Sequence, residues 1–285
     1  MRIIGIIISL VLFCVPCTIY AKTLDNITLL VSSCDKYSSL WEPFFKSLFR
    51  HWPSLQQENK DIPILLIANK KKYLHPRVTM IQIPNEISWG DNMLQALHQI
   101  DTKYVMLWLD DYWLNNTVNE QRLLELYHGM QAAKASYMQL AYNELNYQDG
   151  PLHPTIRDVN YREKFSLFKV SLQLSIWDIE ALRYLLRPHE TPWDFELAGS
   201  IRSHGYPGDF LTVRNNEPIR HLNAAFQGHI RAEVFTHLQV INSQATIDMP
   251  TLGKFNWQIT KKLWQHRITK LYHFLKNPSY FYEFS

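Results

Sequence analysis

The residues of this chain able to do chemistry fall in two acidic clusters. Asp110 and Asp111 are adjacent and follow directly on the apolar run Val105-Met106-Leu107-Trp108-Leu109. Such a run suits a strand buried on both faces of a parallel sheet. In open α/β sheets ligands gather beyond the carboxyl ends of the strands, so paired carboxylates there are placed to hold a divalent metal. The alternative is a strand end that turns polar on reaching water. The second cluster is Thr191-Pro192-Trp193-Asp194-Phe195-Glu196. Thr191 as N-cap, Pro192 at the first helical position and Asp194 at the third make a helix start. That accounts for Asp194 as the acid reaching back to the cap. Glu196, two residues on, points elsewhere around a helix and is the candidate general base. Its alternative is a solvated surface glutamate.

The elements that must position these acids follow from hydrophobic patterning. Residues 27–33 (ITLLVSS) read as a first buried strand, and Trp41, Phe44, Phe45, Leu48 and Trp52 recur at helical spacing before Pro53. Residues 63–68 and 78–83 read as two further strands. Ser88 as N-cap and Asp91 three residues later open a helix whose apolar face is Met93, Leu94, Leu97 and Ile100. That helix feeds the central strand. Beyond it come a helix through Leu123–Met130, a strand at 137–142, a loop over 143–165 that could fold over a ligand, and a strand at 170–177. A helix capped by Asp178 follows. Strand–helix alternation predicts an α/β sandwich with a mostly parallel sheet, in one globular domain without internal repeats.

Composition bounds the rest. The 285 residues are 46% hydrophobic with a net charge of +3, enough for one large core and too mildly charged for a nucleic-acid binder. Residues 1–21 carry Arg2, an apolar run from Ile3 to Val15, Pro16 and Ala21, the layout of a secretory signal peptide or a signal anchor. Cys14 and Cys17 lie in that leader, so Cys34 stands alone, and zinc-type cysteine spacing is absent elsewhere. His221, His229 and His237 are eight apart with no HExxH, and read as surface or core histidines. His221 and Arg231 would reach a diphosphate if the C-terminal segment folds across the site. Residues 250–282 have six lysines and arginines and no acid, with Trp264, Ile268, Leu271 and Leu275 at helical spacing. This predicts a basic amphipathic helix over 251–285, either packed on the domain or lying at an anionic membrane surface.

Four segments, VSSCDKYSSLWEPFFKSLFRHWP, SWGDNMLQAL, YVMLWLDDYWL and VSLQLSIWDIEALRYLLRPHETPWDFELAGS, occur in an order that resembles bacterial GT-A type glycosyltransferases of capsule and lipopolysaccharide synthesis, over residues 27–204. The resemblance implies a GT-A-like α/β/α sandwich over 22–250. It further implies transfer of a sugar from a nucleotide-sugar donor to a glycan or lipid-linked acceptor, with inversion. Asp110 and Asp111 would stand at the Asp-x-Asp metal site, holding Mn²⁺ or Mg²⁺, although here the acids are adjacent. Asp194 and Glu196 would stand in the segment that activates the acceptor. Ser33, Asp35, Trp89, Asn92 and Asp110 would border the nucleotide pocket; Asp35 reads equally as a turn-former. The leader implies an exported or membrane-tethered protein, with the cytoplasmic face of the membrane as the alternative, because nucleotide sugars are made in the cytosol. Two rivals are a nucleotidyltransferase acting on sugar phosphates and an exported carbohydrate-binding protein with a degenerate transferase fold.

Overall fold

A computed structural model describes residues 23–57, 62–141, 149–166, 168–226 and 228–252. The expected leader and the basic C-terminal helix lie outside the described residues, apart from the first residues after Pro250. No helix among the described residues is long and apolar enough to cross a membrane.

The first half of the chain builds a parallel half-sheet. β1 (Ile27–Ser32), β2 (Ile64–Ala68), β3 (Thr79–Gln82) and β4 (Tyr104–Leu109) pair in the order β3-β2-β1-β4, all parallel. Between them lie α1 (Trp41–His51) and α2 (Trp89–Leu97). The short β5 (Tyr112–Leu114) and α3 (Glu120–Ala133) come next. The second half adds β6 (Tyr137–Gln139), β7 (Asp149–Leu152), β8 (Val159–Arg162), β9 (Ser175–Asp178) and α4 (Ile179–Leu185). A helical run then passes from α5 (Pro192–Asp194) through a π-helical turn, Phe195–Gly199, into α6 (Ser200–Arg202). β10 (Phe210–Val213), β11 (His221–Asn223), β12 (Ala225–Phe226), β13 (His229–Ile230) and α7 (Glu233–Val240) complete the described chain. The sheet has nine strands in the order β3-β2-β1-β4-β9-β6-β10-β8-β7. Only β9 and β8 run against the others, so the sheet is mixed and mostly parallel, as expected.

Two cores flank the sheet, one on each face. Ile27, Leu29 and Val31 of β1 and Met106 and Trp108 of β4 pack with α1 and α3. Leu30, Val105 and Leu107 pack on the other face with α2, α4 and Phe195. Side chains alternate across a strand, so β1 and β4 supply both layers, which is why they read as unbroken apolar runs.

Two expectations need correction. Residues 143–165 are not a plain loop, because β7 and β8 pair antiparallel within them at the sheet edge. The predicted strand at 170–177 is a strand only over Ser175–Asp178. Upstream of it, side chains take the backbone donors that a ladder would use: Val170 N–H donates to Ser200 Oγ at 2.9 Å and Leu172 N–H to Glu196 Oε1 at 2.9 Å. The segment is apolar for packing, not for pairing.

Candidate active site

The acidic pair stands at the carboxyl end of the central strand. The register of β1 and β4 ends with Ser32 opposite Leu109, which brings the next residues, Ser33 and Asp110, side by side. The Ser33 hydroxyl donates to Asp110 Oδ2, and Trp41 Nε1 donates to Ser33 Oγ at 2.6 Å. Asp110 is only 6% exposed. Burial, then the neighbouring Asp111 charge, pushes its carboxyl well above the usual carboxylate range. Burial pushes Asp111 up to about 7, and its Oδ1 is a buried acceptor without a hydrogen-bond partner. Neither acid has a cationic partner among the described residues. Both carry the signature of charge taken out of water without compensation.

No third His, Cys, Asp or Glu among the described residues converges on the pair. Two carboxylates with an orphaned oxygen still fit a divalent cation of the Mg²⁺ or Mn²⁺ type, which commonly takes one or two carboxylates and fills its remaining positions with water and substrate phosphates.

The ends of neighbouring elements wall this position. Tyr37 lies close enough that Cys34, Asp110 and Asp111, after burial itself, raise its hydroxyl pKa. The Cys34 thiol is likewise pushed up, first by burial and then by Asp110 and Glu86. Trp89 Nε1 donates to Ser32 Oγ at 3.0 Å, and its ring meets Phe195 at 5.4 Å. Asn92 is buried, with Nδ2 3.4 Å from Glu86 Oε1 and with Oδ1 unpartnered. Asp35 is differently placed. Its carboxylate accepts from the N–H groups of Asn69, Lys70 and Lys71 at 3.0–3.1 Å, while its own N–H donates to Asn69 Oδ1. It fastens the end of β2 to the turn after β1.

The C-terminal segment closes the other side. β11 pairs antiparallel with β5, and Ala224 N–H donates to the backbone oxygen of Asp111 at 2.6 Å. His221 lies against Tyr112, with ring centroids 4.6 Å apart and planes tilted by 40°, and burial lowers its pKa to about 4, so it is neutral at physiological pH. Arg231 N–H donates to Ala224 O, and its guanidinium meets Glu233 at 3.1 Å. The segment does fold beside the acidic pair, but these two side chains have partners of their own. Gly228, at φ +79°, joins β12 to β13, and Lys36 Nζ lies 3.8 Å from where a β-carbon there would stand.

The second cluster lies one strand to the side. β9 runs antiparallel to β4, with Ser175 opposite Leu107, so the chain enters β9 from the carboxyl edge of β4 that carries Asp110. Glu196 reaches the entering stretch: Oε1 accepts from Leu172 N–H and, at 3.2 Å, from Ser171 Oγ. The π turn carrying Glu196 is a device often found where a helix must re-aim a functional side chain. Asp194 completes the capping box, accepting from Thr191 N–H and Oγ1. The start of α2 is keyed to the loop before this helix. Asp91 Oδ2 accepts from Ser88 Oγ at 2.6 Å and His189 N–H at 2.8 Å, and Gly90 N–H donates to Glu190 O. A β-carbon at residue 90 would come within 2.2 Å of Arg187 O, so only glycine permits the approach.

Sequence reasoning missed Ser171 and Gly228.

No family model matches the chain, and no curated protein matches it. Several solved structures resemble its fold at low identity. One is S. aureus TarS 1-349 in complex with UDP, with 10% identity, 68% of this chain and 59% of that one covered, and a TM-score of 0.48. A second is the mannosyltransferase PcManGT from Pyrobaculum calidifontis in complex with GDP-Man and Mn²⁺, with 10% identity, 71% and 58% covered, and a TM-score of 0.46. A third is the UTP-bound UGPase from Acinetobacter baumannii, with 8% identity, 76% and 92% covered, and a TM-score of 0.45. The matched region spans less than two thirds of the TarS and mannosyltransferase chains.

Proposed function

We propose that this chain is a glycosyltransferase that moves a sugar from a nucleotide-sugar donor to a glycan or lipid-linked acceptor, with inversion. The observation that carries this reading is the buried Asp110–Asp111 pair at the carboxyl end of β4, uncompensated by any cation among the described residues. Such a pair calls for a cation, and the sheet edge is where an α/β fold receives nucleotides.

Asp110 and Asp111 would hold the metal, with Ser33 fixing the rotamer of Asp110. A divalent ion bound there supplies charge neutralisation for a departing diphosphate. In the reaction the bond from the anomeric carbon to the diphosphate oxygen breaks, its electron pair leaving with the phosphate. The acceptor oxygen bonds to that carbon and gives its proton to Glu196. A positioned carboxylate contributes ~10²–10⁴-fold to such a step. Trp89, Asn92 and the Ser33–Tyr37 turn border the donor. Asp35 acts through the loop it fastens, and Asp194 by capping the helix that aims Glu196.

The test is a product assay on UDP-, GDP- and CMP-sugars with and without Mn²⁺, paired with thermal shift. Metal-dependent release of UDP or GDP from the matching sugar donor, or of CMP from a CMP-sugar, lost in Asp111→Asn with folding intact, is the expected result. Release of pyrophosphate from a nucleoside triphosphate and a sugar phosphate would instead make the chain a nucleotidyltransferase. Glycan binding with no response to any nucleotide would make it a binding protein.

A further inference from the structure

The crossover from β2 to β3 carries Lys70, Lys71 and Lys72, then Tyr73, Leu74, His75, Pro76 and Arg77. It is a fixed strap. Asp35 accepts from the Lys70 and Lys71 N–H groups, and Gln82 Nε2 donates to Lys70 O at 3.2 Å. Tyr73 stacks on Phe45 of α1 at 4.9 Å, His75 stacks on Phe49 at 4.7 Å, and Arg77 Nε donates to Leu55 O. These contacts turn Tyr73 and His75 inward and hold Leu74, between them, outward. Leu74 is 91% exposed, more than any other large apolar residue described.

An isolated exposed leucine is ordinary. This one stands on an anchored apex beside three exposed lysines. Lys71 Nζ donates to Ser38 Oγ, and neither Lys70 nor Lys72 pairs with an acid among the described residues. On the adjoining helix, Lys46 and Arg50 outnumber the single acid Glu42, which Lys46 meets at 3.7 Å. Charge alone would suit any soluble polyanion and would leave Leu74 without a role. An apolar side chain thrust out among lysines matches the boundary of an anionic bilayer, where headgroup phosphates meet hydrocarbon.

We propose that the 70–77 strap docks on an anionic phospholipid surface, with Leu74 entering the acyl boundary and Lys70, Lys71 and Lys72 among the headgroup phosphates. The strap leaves the sheet at the carboxyl end of β2, the edge that also carries Asp110, so docking holds that edge at the membrane. The inference stands on the strap alone and does not require the transfer reaction.

The test places an environment-sensitive fluorophore at Leu74→Cys, in the full chain with its three cysteines replaced by serine. Vesicles are either neutral phosphatidylcholine or phosphatidylcholine with phosphatidylglycerol. The label reports the strap itself, whatever other segment touches lipid. The expected result is a blue-shifted, brighter emission with anionic vesicles alone. In flotation, Lys70→Gln and Lys72→Gln each lower partitioning about five-fold with unchanged thermal unfolding. An unshifted label on floated protein, an equal shift with neutral vesicles, or wild-type partitioning of the lysine variants would overturn the proposal.

Discussion

Ser33 and Asp110, 77 residues apart in sequence, share one hydrogen bond that a third group braces. Trp41 Nε1 can only donate, and it donates into Ser33 Oγ while the serine hydroxyl donates to the Asp110 carboxylate. The end of β1 thereby sets the rotamer of the acid at the end of β4.

Ser33→Ala therefore removes a donor from a buried carboxylate and strands the Trp41 indole N–H. The expected cost is about 1–3 kcal/mol in urea unfolding. Mn²⁺ affinity, followed by calorimetric titration, should fall as well. Ser33→Thr, which keeps the hydroxyl, should restore most of both. A metal affinity unchanged in Ser33→Ala would show that the hydroxyl does not position Asp110.

Glu196 separates into two roles by substitution. Glu196→Gln keeps an oxygen for the Leu172 N–H and should retain the fold while losing ~10²–10⁴-fold in turnover. Glu196→Ala also releases the Leu172 N–H, which should exchange its hydrogen faster. Equal turnover in wild type and Glu196→Gln would take the base assignment away from this residue.

The half-buried His221 makes stability depend on pH. Its folded pKa, about 4, lies below the ordinary value of 6.5, so between those values the unfolded chain binds the extra proton. Stability is full above about pH 6.5 and falls as pH drops through 4, by up to about 3 kcal/mol. His221→Phe, which keeps a ring against Tyr112, should flatten this part of the pH profile in thermal unfolding. The same slope in variant and wild type would place the titration elsewhere.

Much of the fold was legible because its signals are local. β1, α1, β2, β3, α2 and β4 are marked by apolar period, by Pro53 and by the Ser88 cap, each readable within about one turn or one strand of chain. The Thr191 capping box was legible for the same reason, and so was the role it leaves to Asp194. The strand expected over 170–177 shows where that logic stops. Its apolar residues promised a ladder, but Ser200 and Glu196, from a later helix, take the backbone donors instead. The union of β5 with β11 likewise depends on partners remote in sequence.

By itself the sequence determined that a hydrophobic strand ends in two adjacent acids, and that a capped helix start carries a third acid beyond its cap. Tertiary structure decided the rest. It tied Asp35 to the β2 loop, bound Ser33 to Asp110, laid Ala224 against Asp111 and turned Glu196 onto Leu172. The physical reason is that burial and hydrogen-bond satisfaction are properties of what arrives from elsewhere in the chain, whereas period and capping belong to the residues that display them.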